Sequence, residues 1–149
     1  MKTVVLIGCG KTKLDHAAPA KDLYTGPLFR KARAWAERVG DEWAILSAKH
    51  HVLMPDQVIE PYDLCLEDLK PDYYRQWLTI ANFEIVQRWP GQKSMEKGYV
   101  HLSGERFICL AGALYVAAFK GPTEFKVETP LQGMGAGKRL GFLSREACA

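Results

Sequence analysis

The residues best suited to chemistry lie in one segment, residues 44–63, where an apolar run gives way to polar side chains. Ala44-Ile-Leu has the pattern of a buried strand, and Ser47, Lys49 and His50 follow it directly. A hydroxyl and an ammonium can bind phosphate or other polar groups, and a histidine can transfer protons near neutral pH. Because α/β proteins bind ligands beyond the ends of strands, the segment predicts the position of a site.

The segment ends in Pro61-Tyr62-Asp63, which adds an aromatic ring and a carboxylate. Tyr62 could stack on a base or a sugar, and Asp63 could activate water, so Asp63 and His50 are the candidate catalytic residues. The alternative for Asp63 is that it caps the next helix. Adjacent histidines such as His50 and His51 point in different directions on a regular element, so no metal site and no cofactor is predicted.

A second candidate region, Gly8-Cys-Gly-Lys-Thr-Lys13, follows the first apolar run. Its glycines would let the backbone approach a ligand, successive amides can bind an anion, and Lys11 and Lys13 add positive charge. Neither GxxxxGK[ST] nor GxGxxG is present, and an ordinary tight turn is the alternative. Cys9 is a nucleophile if positive neighbours lower its pKa, and otherwise an inert thiol.

Two further segments carry weaker signals. Tyr24-Thr-Gly-Pro27 precedes a predicted helix, where Thr25 would cap the first turn or the helix terminus would attract an anion. The glycine-rich Gly133–Arg139 could contact a phosphate or form a flexible turn. The predicted ligand-binding residues are Cys9, Lys11, Lys13, Tyr24, Ser47, Lys49 and Tyr62.

The elements that must position these residues alternate between strands and helices. Strands are predicted at 3–7, 42–47, 99–103 and 125–129, and helices at 28–39, 66–89 and 106–119, with loops at 14–27 and 91–98. This alternation predicts an α/β fold in three layers, with a mostly parallel central sheet of about four strands and helices on both faces.

The two later helices are predicted to pack against the sheet. In 66–89, Pro71 would open the helix, and an apolar stripe would be mostly core, with Trp77 and Trp89 as candidates for an exposed patch. The stripe comprises Leu69, Tyr73, Trp77, Ile80, Phe83, Val86 and Trp89. The nearly all-apolar run at 107–119 is expected to be core.

The composition is that of one soluble globular domain. The 149 residues are 48% hydrophobic and 25% charged, and the net charge of +3 permits contact with nucleic acid without arguing for it. No apolar run approaches the ~18 residues of a membrane span. The four cysteines are widely spaced, so reduced thiols in a cytoplasmic protein are expected. The oligomeric state is not predicted.

Several motifs together resemble those of a small family of uncharacterised phage and bacterial proteins (DUF6884-like). They are Cys9–Lys13, Ala18–Phe29, Ile45–Pro55, Ile59–Asp63 and Pro130–Leu140. More distantly, the middle of the chain is similar to the YaaA-type peroxide-stress proteins, which bind DNA.

That more distant resemblance implies a core like that of uracil-DNA glycosylases, and like an accessory domain of archaeal tRNA-guanine transglycosylases. This chain carries His50-His51 where a glycine is usual, lacks the glycosylases' water-activating motif, and is shorter than a YaaA-type protein.

Two functions follow as hypotheses. The first is binding of a nucleotide, a nucleobase or nucleic acid at the ends of the strands, with base modification or N-glycosidic bond chemistry if the protein is an enzyme. Lys11, Lys13 and Lys49 would hold phosphate, Tyr62 would stack on a base, and Ser47 would orient it. The alternative is a non-catalytic phage or host-interaction protein that retains the fold.

Overall fold

A computed structural model describes residues 2–90, 92–96 and 99–148, without the side chains of 92–96, 99–103, 136 and 145–148. Its strands are β1 Lys2–Gly8, β2 Ala18–Pro19, β3 Glu42–Ser47, β4 His51–Leu53, β5 Val58–Ile59, β6 Gln92–Glu96, β7 Tyr99–Ser103, β8 Glu105–Leu110, β9 Thr123–Glu124 and β10 Val127–Glu128. Its α-helices are α1 Ala20–Leu23, α2 Pro27–Val39, α3 Pro71–Arg88, α4 Ala113–Val116 and α5 Ala136–Cys148, and 3₁₀ turns cover Leu66–Asp68 and Ala117–Phe119.

The central sheet has five strands in the order β10-β8-β1-β3-β4. β1 is parallel to both neighbours, with Val4 opposite Glu42 on β3 and opposite Phe107 on β8. β10 is parallel to β8, and only the edge strand β4 is antiparallel. The predicted mostly parallel α/β sheet is therefore confirmed, with five strands instead of about four.

Helices cover both faces of this sheet, because neighbouring residues of β1 point in opposite directions. Val4 and Leu6 pack in a core with Trp77 of α3. Val5 and Ile7 pack in a second core with residues of α2 and α5. The continuous apolar run of β1 is thus explained by burial on both sides.

The strand order reverses at β1. The chain first adds β3 on one side of β1 and later adds β8 on the other side, with α2 and α3 on opposite faces. In open α/β sheets, the chain connections on the two sides of such a reversal run over opposite faces of the sheet. This leaves a crevice between them at the carboxyl ends of the strands. Here that crevice lies beyond Gly8 and Leu110.

Several predicted elements are confirmed. The apolar runs at 3–7 and 42–47 are strands, and the amphipathic segment 28–39 is a helix. Pro27 and Pro71 each occupy the first turn of a helix, as proline's fixed φ favours.

The largest correction concerns 106–119, which was predicted to be one helix. Residues 105–110 form the buried strand β8, and the short helix α4 then begins at Ala113, with Gly112 as its N-cap. A short apolar run fits a doubly buried strand as well as a buried helix, so hydrophobicity cannot separate the two.

Three other predictions are wrong in detail. The strand at 99–103 exists, but it lies in a separate sheet of order β6-β7-β9 instead of the central sheet. Residues 92–96 form β6, although 91–98 was predicted to be a loop; residues 91, 97 and 98 lie outside the described part. The predicted long loop 14–27 contains β2 and α1, and β2 pairs with β5.

The predicted stripe on α3 is only partly core. Trp77 and Trp89 are buried, so neither belongs to an exposed patch. Tyr73, Ile80 and Phe83 are instead 60%, 41% and 58% exposed. The buried face of α3 runs through Trp77, Ala81 and Ile85, about one residue out of phase with the predicted stripe.

Candidate functional site

A pocket of about 310 Å³ lies at the reversal point of the sheet. Its lining combines the loop after β1, the segment before α3 and a residue from α4. The lining residues are Cys9, Gly10, Lys11, Lys13, Asp63, Leu64, Cys65, Glu67, Asp68 and Tyr115. We call this pocket the crevice.

Cys9 is held at the floor of the crevice by the sheet itself. Its backbone N–H donates to the carbonyl of Leu46 at 3.0 Å, so the β1–β3 pairing continues one residue beyond Gly8. Gly8 also allows a close approach, because a Cβ there would lie 3.2 Å from the Cβ of Ala111. The Cys9 thiol lies 3.3 Å from the Tyr115 hydroxyl, and either group can donate.

Charges of both signs face the crevice. Lys11 and Lys13 come from the loop after β1, and Asp63, Glu67 and Asp68 come from the segment before α3. The Lys13 ammonium donates to the carbonyl of Lys11 at 3.3 Å and lies 4.5 Å from the centroid of the Tyr62 ring. The ring therefore supports Lys13 through a cation–π contact.

A chain of hydroxyl groups lies beside the crevice. The Tyr62 hydroxyl is 2.7 Å from Ser47 Oγ and 2.6 Å from the Tyr24 hydroxyl. Burial is the main cause that raises the pKa of Tyr24 to about 12, and burial likewise raises the pKa of Tyr62. Both phenols are therefore neutral at pH 7, and they act as hydrogen-bonding groups and not as bases.

The phenol of Tyr115 behaves in the same way. Burial is the main cause that raises its pKa, and the neighbouring Cys9 raises the pKa further. Tyr115 is thus a neutral hydrogen-bonding group that reaches the floor of the crevice from the β8 side.

Ser47 shapes the turn that follows β3. Its Oγ accepts hydrogen bonds from the backbone N–H groups of His50 at 3.1 Å and Lys49 at 3.3 Å, while its carbonyl accepts one from the Trp77 indole at 2.9 Å. Ser47 is fully buried and does not line the crevice. Its side chain thereby holds the turn in place and is hydrogen-bonded to the Tyr62 hydroxyl.

The two histidines lie on that turn. The His50 ring packs edge-on to Tyr62, with 5.5 Å between centroids, and its Nε2 is buried without a hydrogen-bond partner among the described residues. Burial lowers the pKa of His50, and the charges of Lys49 and His51 lower it further. His51 stacks on Trp77 at 6.3 Å and has a positive φ of 64°.

The structure brings part of the predicted site together. Cys9, Lys11, Lys13 and Asp63 line the crevice, and Tyr24, Ser47 and Tyr62 form the hydroxyl chain beside it. Lys49 is exposed on the turn, with its ammonium 5.9 Å from the Tyr62 ring. His50 contacts Tyr62 but does not line the crevice.

Two of the alternatives left open by the sequence, capping by Thr25 and capping by Asp63, are not found in the structure. Gly26, and not Thr25, is the N-cap of α2, without a side-chain hydrogen bond. Asp63 caps no helix, since the N-cap of the following 3₁₀ turn is Cys65. Asp63 instead lines the crevice.

Sequence reasoning missed several lining residues: Cys65, Glu67, Asp68 and Tyr115. Tyr115 was hidden because its segment was interpreted as a buried helix. The rule that ligands bind beyond strand ends would have pointed to it if β8 had been recognised as a strand. Glu67 and Asp68 carry no sequence pattern that separates them from ordinary surface acids.

Within the part of the chain that the structure describes, no group of three or more histidine, cysteine, aspartate or glutamate side chains is arranged to hold a metal ion. In the same residues, no helix has the length and apolar character needed to cross a membrane.

Comparison with known proteins gives a family without a described activity. The chain is 38% identical over 122 residues to the uncharacterized protein YfjM of Bacillus subtilis (strain 168), which covers 77% of this chain and 73% of that protein. No solved structure matches the chain. A family model described as a family of unknown function matches residues 4–145, so the chain belongs to that family, DUF6884.

Proposed function

We propose that the protein binds a nucleotide, or a nucleobase within a short nucleic acid, in the crevice at the carboxyl ends of β1 and β8. The observation that carries the proposal is the position of the crevice at the reversal of strand order, lined by Cys9 from the β1 side and Tyr115 from the β8 side. Open α/β sheets bind their ligands at such reversals.

The charges in the crevice favour a ligand with an anionic end and a hydrogen-bond-donating end. Lys11 and Lys13 suit a phosphate, and Lys13 is oriented by the Tyr62 ring. Asp63, Glu67 and Asp68 suit the amino and imino groups of a base. A volume of about 310 Å³ lies at the lower end of the range for small-molecule sites.

The geometry also refines the roles of individual residues. Tyr62 supports Lys13 and joins the hydroxyl chain, so its role in the proposal shifts from stacking on a base to positioning Lys13. Asp63 faces the crevice whereas His50 does not, so Asp63 is the stronger candidate for activating water if the protein cleaves or forms an N-glycosidic bond. A glycosylase-like fold and DNA binding remain part of this proposal.

The first prediction is that isothermal titration calorimetry detects binding of at least one of the mononucleotides AMP, GMP, CMP and UMP. Lys13→Ala should weaken that binding by roughly 10- to 100-fold, because a hydrogen bond to a charged group contributes ~1.5–3 kcal/mol. Asp63→Asn, which keeps the shape of the side chain, should change the order of preference among the four bases.

The matched control is Lys126→Ala, which removes an exposed lysine that does not line the crevice and should leave the affinity unchanged. A 12-nucleotide single strand tested in parallel separates a polymer from a free nucleotide, since polymer binding falls steeply with salt. If no nucleotide or oligonucleotide binds, or if Lys13→Ala and Lys126→Ala bind equally, the proposal is wrong.

A second candidate function, binding to another protein, is favoured by a different observation. Tyr73, Ile80 and Phe83 form an exposed apolar stripe on α3, which we call the α3 stripe. Exposed contiguous apolar residues often mark interaction surfaces. Under this alternative the protein is a non-catalytic interaction protein of phage or host, and substitutions in the crevice leave its activity intact.

A further inference from the structure

Lys13, one of the two lysines that line the crevice, is oriented by aromatic rings and not by a carboxylate. Among the residues that the structure describes, it forms no ion pair. Its ammonium lies 4.5 Å from the centroid of the Tyr62 ring and 5.7 Å from that of Tyr24. Because a lysine charge sits on a flexible four-carbon stem, the nearest ring decides where the charge is held.

The Tyr62 ring is itself held by the turn between β3 and β4, residues 47–51. Ser47 Oγ accepts the backbone N–H groups of Lys49 and His50, so both its lone pairs are occupied and its own hydroxyl donates to the Tyr62 hydroxyl at 2.7 Å. The His50 ring packs edge-on to Tyr62 at 5.5 Å. The position of the Tyr62 ring therefore follows the position of this turn.

Trp77 of α3 anchors the same turn from the core. Its indole N–H donates to the carbonyl of Ser47 at 2.9 Å, and its ring stacks on His51 at 6.3 Å, so it contacts the first and the last residue of the turn. Trp77 is 2% exposed, and water does not compete for its hydrogen bond. It does not line the crevice, so it can affect a ligand only through the residues that it contacts.

We infer that Trp77 is a positioning residue for the phosphate end of the crevice. It holds the β3–β4 turn, the turn holds Tyr62, and the Tyr62 ring holds the Lys13 ammonium. The part of this inference that concerns a phosphate rests on the function proposed above. The link from Trp77 to Lys13 is present in the protein without a ligand and can be measured there.

The first experiment measures the link without a nucleotide. Protons above the face of an aromatic ring resonate upfield, so the Lys13 ε-methylene signal should lie upfield of the other lysine signals in a ¹H–¹³C spectrum, and Lys13→Ala identifies it by its loss. Trp77→Phe removes the N–H donor but keeps a ring beside Tyr115, and it should shift that signal toward the other lysines. Trp89→Phe, the same change at a buried tryptophan of the same core, should leave the signal in place.

A second variant tests the link from its other end and leaves Trp77 unchanged. Tyr62→Phe keeps the ring but loses the hydrogen bond to Ser47, so it should shift both the Lys13 signal and the Trp77 indole N–H signal. The indole signals of the other three of the four tryptophans should stay in place and report that the fold is kept. A Trp77 indole signal that does not move in Tyr62→Phe overturns the inference. A Lys13 signal that shifts equally in Trp77→Phe and Trp89→Phe also overturns it.

Nucleotide affinity then measures the consequence for the site. Trp77→Phe should weaken the best-bound mononucleotide about fivefold, which is part of the loss expected for Lys13→Ala. In a Lys13→Ala background the same change should weaken binding less than about twofold, because its effect passes through Lys13. A general structural effect would be equal in both backgrounds, and that result contradicts the inference. If the wild type binds no nucleotide, the proposed function is wrong, and the lysine and indole signals alone decide the link from Trp77 to Lys13.

Discussion

At the scale of single residues, His51 has a backbone conformation that residues with a Cβ rarely adopt. It begins β4, pairs with Ser47, and has a φ of 64°. For residues with a Cβ this left-handed region costs roughly 1–2 kcal/mol, and glycine avoids most of that cost. The tight return from β3 to β4 requires the conformation, and the stacking of His51 on Trp77 offsets part of its cost.

His51→Gly should therefore be more stable than His51→Ala by about 1 kcal/mol, the reverse of the usual order for these two residues. Both variants remove the imidazole, so their difference isolates the backbone. The measurement is the free energy of unfolding from a urea titration monitored by far-UV circular dichroism.

Thr79, an exposed residue away from both ends of α3, provides the matched pair of variants. There Thr79→Ala should be more stable than Thr79→Gly by about 1 kcal/mol, because helix propensity sets the order. If alanine is the better residue at both positions, His51 is not held in a left-handed conformation.

The residues of the crevice show what sequence alone can find. Cys9, Lys11, Lys13 and Asp63 were predicted because each follows a strong strand pattern or a proline-aromatic corner, and they do line one pocket. Tyr115 was missed because β8 was not recognised as a strand, and its place beside Cys9 also depends on β8 lying next to β1. Strand order is a non-local property that no short motif encodes.

At the scale of elements, local periodicity predicted amphipathic segments better than buried ones. α2 has one apolar face and was predicted almost to the residue. β8 is apolar on both faces and was interpreted as a helix, since alternation disappears when a strand is covered on both sides. The edge strand β4 has three residues and depends on its pairing with β3, which is also not readable from composition.

Asn82 joins α3 to the segment after α4 and was not singled out from the sequence. Its amide nitrogen donates to the carbonyls of Ala118 at 2.8 Å and Thr123 at 2.7 Å, and its Oδ1 accepts from the Thr123 N–H at 3.2 Å. The side chain is buried, so these bonds have no competition from water. Gly121 must stay small here, because a Cβ would lie 2.8 Å from Asn82 Cγ.

Asn82→Asp should lower the free energy of unfolding by about 3 kcal/mol at pH 7. The change keeps the shape of the side chain, but it removes both N–H donors and turns a buried carboxylate toward two carbonyl oxygens. Urea unfolding measures the loss.

The control is Gln76→Glu, the same amide-to-acid change at an exposed position of the same helix. It should change the stability by less than about 0.5 kcal/mol. Equal stability of Asn82→Asp and Gln76→Glu would mean that the Asn82 bonds do not hold α3 to this segment.

At the scale of the whole molecule, one central strand links both cores to the crevice. Consecutive residues of β1 enter opposite cores, and the strand then delivers Cys9 to the floor of the crevice. The geometry of the crevice therefore depends on both helix layers. By contrast, the α3 stripe lies on the outer surface of one layer and is independent of that geometry.

The oligomeric state shows whether the α3 stripe joins two copies of this chain. Three exposed side chains on one helix supply much less than the ~800 Å² per partner that a stable interface buries. We therefore expect light scattering coupled to size-exclusion chromatography to give the monomer mass at about 50 μM. At that concentration a dimer with a dissociation constant of about 1 μM would be largely assembled.

Phe83→Ser should leave the elution volume unchanged. Val39→Ser, which removes an exposed apolar residue from α2, is the control and should also leave it unchanged. A dimer that dissociates in Phe83→Ser but persists in Val39→Ser would contradict this expectation and would make the α3 stripe an interface, in favour of the second candidate function.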